Sequence, residues 1–162
     1  MIEIKNLMKN CILTIGICVF VFGMSACKSK SITVSEINNI IMNSNDNYKI
    51  LVDKKWKLFE LNGVSLSVLK SQPAVEAFIM FQSNDNIVNG NSGCNNFSGT
   101  YKIDSGKALH FSGVASTRKM CIDMTVEDIM NKLFQTVDNY TLQSDTLSLN
   151  QREASLARFV RE

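Results

Sequence analysis

The sequence predicts an α+β fold that is mostly β: an antiparallel sheet curled into a small barrel or half-barrel, with one packed α-helix. Three observations carry this. About eight short runs of strand-forming residues follow one another from Lys55 to Val160, separated by turn residues at hairpin spacing. One segment near Met130 has helical periodicity instead. The chain has 162 residues, 45% of them apolar and 20% charged, which suits one ordinary domain better than two.

The elements follow in order. Residues 1–26 read as a processing segment and are set aside from the fold. Lys5 and Lys9 make a positive start, and Cys11 to Gly23 is a nearly unbroken apolar run of 13 residues. That is too short for a membrane span, which needs about 20 residues, and right for a secretory signal. Met24-Ser25-Ala26 precedes Cys27 and looks like a bacterial lipobox, in which the cysteine is lipidated and becomes the new N-terminus. A plain signal peptide or an uncleaved signal anchor remains the alternative. Lys28 stands where an inner-membrane retention aspartate would stand, so the outer membrane is favoured. No acidic run directs surface export, which leaves the periplasmic face as the expected location.

Residues 27–53 read as the lipidated cysteine and a polar tether. Asn38 to Asn47 holds five asparagines, and Ser35 is placed to cap a short helix through Ile37, Ile40 and Ile41. The domain is expected over residues 54–162. Lys55 to Leu61 alternates with Trp56 and Leu58 on one side, and Asn62-Gly63 marks a turn. Val64 to Leu69 is a weaker extended piece, and Val75 to Gln82 is a strong strand candidate. Further strands are expected at Ile87 to Asn89, Phe97 to Ile103, Ala108 to Val114, Tyr140 to Gln143, Thr146 to Asn150 and Ser155 to Val160. The helix is expected over residues 126–138, with Ile129, Met130, Leu133, Phe134 and Val137 on its apolar face. Thr125 to Asp128 resembles a capping box with aspartate in the glutamate position. Phe78, Met80, Phe81, Met130 and Phe134 read as core.

The chemistry-bearing residues are few. A net charge of +2 gives no basic face for nucleic acid. His110 is the one histidine, with no motif supplying a nucleophile and an orienting carboxylate. Glu127 and Asp128 fall in a first helical turn, where negative charge favours the helix dipole. Asp85-Asn86-Ile87 fails as a calcium loop because an apolar residue occupies an oxygen-donor position. No cofactor, metal site or enzyme activity is expected. Once residues 1–26 are removed and Cys27 carries lipid, Cys94 and Cys121 remain as a pair. In an oxidising compartment they are expected to form a disulfide; in a reducing one they would be buried thiols. Arg118 reads either as a binder of an anionic group or as a member of a structural network.

Three runs stand in order: Trp56-Lys57-Leu58 with Asn62-Gly63, then Asn89 to Tyr101 (NGNSGCNNFSGTY), then Ser116 to Cys121 (STRKMC). Together they resemble the META domain family, the HslJ-like bacterial lipoproteins, over roughly residues 54–162. Met120 departs from the alanine that many relatives place there. The resemblance implies a small barrel-like fold with a helix packed on the sheet and a link to stress tolerance. The fold is similar in shape to a secretin-pilot lipoprotein that holds a lipid tail, and no shared enzyme activity comes with it. Asn95, Asn96 and Arg118 are the candidate binding residues. Two functions stand open: an envelope lipoprotein that binds an apolar ligand or a partner protein, or a structural stress-tolerance module without a ligand. A cavity in the barrel separates them.

Overall fold

The computed structural model describes residues 46–68, 75–104 and 107–162, together with Thr33, Glu36 and Pro73. The processing segment, Cys27 and most of the tether lie outside the described residues. So do the Ile37–Ile41 helix, Leu69 and the Ser105-Gly106 turn. Thr33 and Glu36 make a reciprocal capping pair: the Thr33 N–H donates to Glu36 Oε2 at 2.9 Å, and the Glu36 N–H donates to Thr33 Oγ1 at 3.4 Å. The cap that the structure describes therefore lies two residues before Ser35.

Residues 46–51 are helical (α1). Nine strands follow among the described residues: β1 Lys55–Leu61, β2 Val64–Ser65, β3 Phe78–Phe81, β4 Ile87–Asn91, β5 Asn96–Ile103, β6 Leu109–Ser116, β7 Asn139–Gln143, β8 Thr146–Gln151 and β9 Ala154–Arg161. The helix α2, Thr125–Thr136, sits between β6 and β7. All the pairings are antiparallel, in the order β6-β5-β4-β3-β1-β9-β8-β7, with β2 beside β1. The edge strands β6 and β7 meet at one end only. There Ala108 bridges Asn139, and the Leu109 N–H bonds to the Asp138 carbonyl. The sheet is thus a curled half-barrel.

Alternation explains the inward face. Trp56 and Leu58 point into the core, then a bulge at Phe59 shifts the phase so that Leu61 also turns in. In β3, Ile79 and Phe81 are buried, whereas Phe78 and Met80 fall on the other face and are half-buried. That corrects their expected place in the core: strand period two puts neighbours on opposite faces. The interior is filled by side chains. Trp56, Ile79, Phe81, Met130, Leu147, Leu149 and Phe159 are all fully buried.

The domain also begins earlier than residue 54. Leu51 and Val52 belong to the core, and the Trp56 indole N–H donates to the Leu51 carbonyl at 2.8 Å. The tether boundary at Asp53 is corrected accordingly, because a buried indole needs an acceptor and α1 supplies it. Asp53 pins this corner to the β3–β4 turn by accepting the Ser83 hydroxyl at 2.7 Å and the Ser83 N–H at 3.0 Å. Those bonds hold its carboxyl below the usual range. Burial pushes the Tyr101 phenol upward, reinforced by the Tyr48 hydroxyl, and burial does the same to Tyr140.

Candidate functional site

The glycine-rich run and the cysteine-bearing run meet at one end of the sheet. Gly90 lies in β4 where a Cβ would come within 2.1 Å of the Phe78 carbonyl oxygen, so the two strands need glycine there. Gly93 has φ +108°, a backbone angle that side chains disfavour. This turn delivers Cys94 to Cys121; the two are disulfide-bonded, with Cα atoms 6.1 Å apart.

Beside the disulfide lies a buried polar latch. Asn95 is 1% exposed and Glu127 is 3% exposed. Glu127 Oε2 accepts the Asn95 backbone N–H at 2.8 Å, and its Oε1 accepts the Asn95 side-chain amide at 2.9 Å. The same amide group donates to the Lys119 carbonyl at 3.0 Å. Asn95 Oδ1 accepts from the Thr117 hydroxyl and from the Lys119 N–H, both at 2.7 Å. One asparagine thereby ties the β4–β5 turn, the loop after β6 and the first turn of α2.

This arrangement corrects three sequence expectations. Asn95 is fully engaged inside the protein and presents nothing to a ligand. Glu127 faces Asn95 rather than serving only the helix dipole. The expected Thr125 capping box does not form: Met124 occupies the cap position without a side-chain bond, and the Thr125 N–H is taken by Asp123 Oδ1 at 2.9 Å. Asn96 is exposed and accepts from the Asn91 amide at 2.9 Å. Arg118 is exposed and forms no ion pair among the described residues.

The second feature is a cleft of about 350 Å³ where β6 and α2 diverge. Phe111, Val114, Phe134 and Val137 give it apolar walls, while His110, Ser112, Ser116, Asn131 and Gln135 line its polar side. Phe134 fixes α2 by packing on Phe97 and Phe111, with ring centroids 4.6 and 5.4 Å away. Among the described residues, β6 pairs with β5 alone beyond its contact with β7 at one end, and its outer edge lies beside this cleft. A bulge opposite Gly99 twists that edge, and Gly113 (φ +59°) occupies it. Among the described residues, no carboxylate lines the cleft beside His110. Among the described residues, no cluster of His, Cys, Asp or Glu gathers to hold a metal, and no helix is long and apolar enough to cross a membrane. Nothing in the sequence announces this cleft, because β6 and α2 approach each other only through the tertiary fold.

The family model for the META domain matches residues 49–162. The chain belongs to the META domain family. The match begins close to where burial begins, near Leu51 in α1. Solved structures share the META half-barrel of this chain at low sequence identity. An NMR structure of a protein from Burkholderia xenovorans is 19% identical, covers 72% of this chain and 87% of its own, and has a TM-score of 0.57. A second NMR structure is 24% identical, with coverages of 69% and 92% and a TM-score of 0.53. A crystal structure of a DUF4847 family protein from Bacteroides vulgatus is 13% identical, with coverages of 70% and 96% and a TM-score of 0.50. These likenesses concern the fold alone. None of the curated proteins compared with the chain matches it.

Proposed function

We propose that this META-domain chain is a non-catalytic, lipid-anchored protein of the bacterial envelope, held at Cys27 on the periplasmic face of the outer membrane. In this reading its domain docks an extended segment of another envelope protein. The single observation that carries the docking role is the open seam: an edge of β6 left unpaired among the described residues, beside a cleft of about 350 Å³ with mixed polar and apolar walls. An extended segment satisfies the main-chain groups of such an edge and seats alternate side chains in the cleft. A buried apolar ligand suits the molecule less well, because Trp56, Phe81 and Phe159 already fill the interior. A structural stress-tolerance module is the second reading, favoured by the same filled interior.

A photo-crosslinking residue placed at Gln135, on the cleft, tests the docking role in living cells, with Gln143 on β7 as the control. A discrete protein adduct at 135 and none at 143 is expected, and Ser112→Trp should abolish it by filling the cleft. No adduct, or the same adducts at both positions, rules out docking in favour of the structural module. For the anchor, Cys27→Ser should leave an uncleaved or soluble chain. Unchanged membrane partitioning and unchanged mass would refute it.

A further inference from the structure

The loop that follows β6 carries its most exposed apolar side chains where a soluble surface has least use for them. Met120 is 91% exposed and Ile122 is 110% exposed, so both project fully into solvent. Between them, Cys121 is bonded to Cys94. Just before Met120, both the N–H and the carbonyl of Lys119 are bound to the Asn95 amide, at 2.7 and 3.0 Å. The backbone is therefore held on both sides while the side chains point away from it. Arg118 and Lys119, both exposed, precede the apolar pair. Val75, about half exposed, belongs to the same end, because its N–H bonds to the Gly93 carbonyl at 2.9 Å. The acids nearby follow the apolar pair, whereas the cations precede it: Asp123 is half-buried and accepts the Thr125 N–H at 2.9 Å, Glu127 is buried under Asn95, and Asp128 is exposed in the first turn of α2.

We propose that the loop from Arg118 to Ile122 is a membrane-contact loop, which inserts Met120 and Ile122 into the interface of an anionic bilayer while Arg118 and Lys119 meet lipid phosphates. The physical chemistry favours a lipid surface over a protein. A stable protein interface covers about 800 Å² per partner with matched shape, and two separate projecting side chains offer no such area. A bilayer needs no shape match: it accepts apolar tips at the acyl boundary and cations at the headgroups. Long cationic side chains also keep their heads at the interface while their stems stay apolar. The contact is weak for a free molecule. For a chain already held at the membrane it becomes an intramolecular event with a high effective concentration. It would orient the domain, with the disulfide end toward the lipid, and it stands independently of the cleft.

The test uses the full chain with Met120→Trp, in phosphatidylcholine vesicles containing phosphatidylglycerol and a nitroxide-labelled lipid. Trp56, the one native tryptophan, is fully buried and serves as the unquenched reference. The introduced indole should lose more than about half of its emission at the bilayer. Added salt, or Arg118→Glu with Lys119→Glu, should restore most of it, and so should Ile122→Asp. An indole that stays unquenched overturns the proposal and leaves the exposed pair to a protein contact. Quenching that ignores both salt and charge reversal also overturns it, since the cations would then play no part. Flotation of the same vesicles reports the anchor separately, so failure of the anchor and failure of the loop are distinguishable. All four substitutions fall on exposed side chains, and Trp56 emission without quencher verifies that each variant is folded.

Discussion

Glu127 is a carboxylate shut inside the protein with an asparagine as its partner, and its removal gives a calculable loss. It accepts two hydrogen bonds from Asn95, at 2.8 and 2.9 Å. Bonds to a charged group contribute about 1.5–3 kcal/mol each, and a buried donor left unpaired costs about 1–3 kcal/mol. Glu127→Ala deletes both bonds and strands the Asn95 N–H and one amide hydrogen. Relief of the desolvated charge offsets part of that. A net loss of about 3–5 kcal/mol is expected. Glu127→Gln keeps one acceptor but turns an NH₂ group toward a donor, so about 1–3 kcal/mol is expected. Urea unfolding of each variant, with the disulfide intact, measures both. Asn95→Ala retains the backbone donor, so a cycle with Glu127→Ala isolates the side-chain bond, for which a coupling of about 1 kcal/mol or more is expected. A loss below about 1 kcal/mol for Glu127→Ala, or equal losses for alanine and glutamine, would refute the latch as a determinant of stability.

The disulfide closes a sequence separation of 27 residues, so Cys94→Ala with Cys121→Ala should cost about 3.5 kcal/mol in the chain-entropy model. Reductant should lower the melting temperature of the native chain and leave the double variant unmoved. Gly90→Ala forces a methyl to within 2.1 Å of the Phe78 carbonyl oxygen, and a loss of about 3 kcal/mol or more is expected by thermal melts. Tyr101 and Tyr140 are held neutral above the usual tyrosine value of 10.0. Their contribution to stability is full below that value and is lost as pH rises past it, because the unfolded chain ionises first. Unfolding free energy measured across the alkaline range should fall for the native chain and fall less for Tyr101→Phe.

The strands were legible because each hairpin is local and its turn residues carry their own signal. Asn62 and Gly63, with φ 50° and 77°, and Asp85 and Asn86, with φ 60° and 50°, adopt the angles their residue types tolerate. The helix was legible from its period, but the role of its first turn was not: an acidic first turn looks the same whether it serves a dipole or a buried asparagine 32 residues away. Nothing in the spacing of Asn95 and Glu127 announces their contact. The bulge at Phe59 that brings Leu61 inward, and the docking of Leu51 under Trp56, are likewise consequences of tertiary packing. The fold class and the paired runs were readable; the latch and the cleft depend on which loops the curled sheet brings together.

The strand order gives β1 a peculiar place in time. Strands β3 to β6 form one run of neighbouring hairpins and β7 to β9 another, and each run can assemble from nearby residues. β1 joins the two runs, and its pairing with β9 spans nearly the whole domain: Arg158 reaches Glu60 across 98 positions. Such distant pairing is slow, because a long loop must close before any contact rewards it. The eight-residue strand Ala154–Arg161 therefore acts as a keystone that is made after all the strands it locks together. Until it arrives, Trp56 and Leu58 lack one wall, and the half-built sheet stays open. Closure of the half-barrel therefore waits until residues 154–161 have been made, however early the two runs of hairpins form.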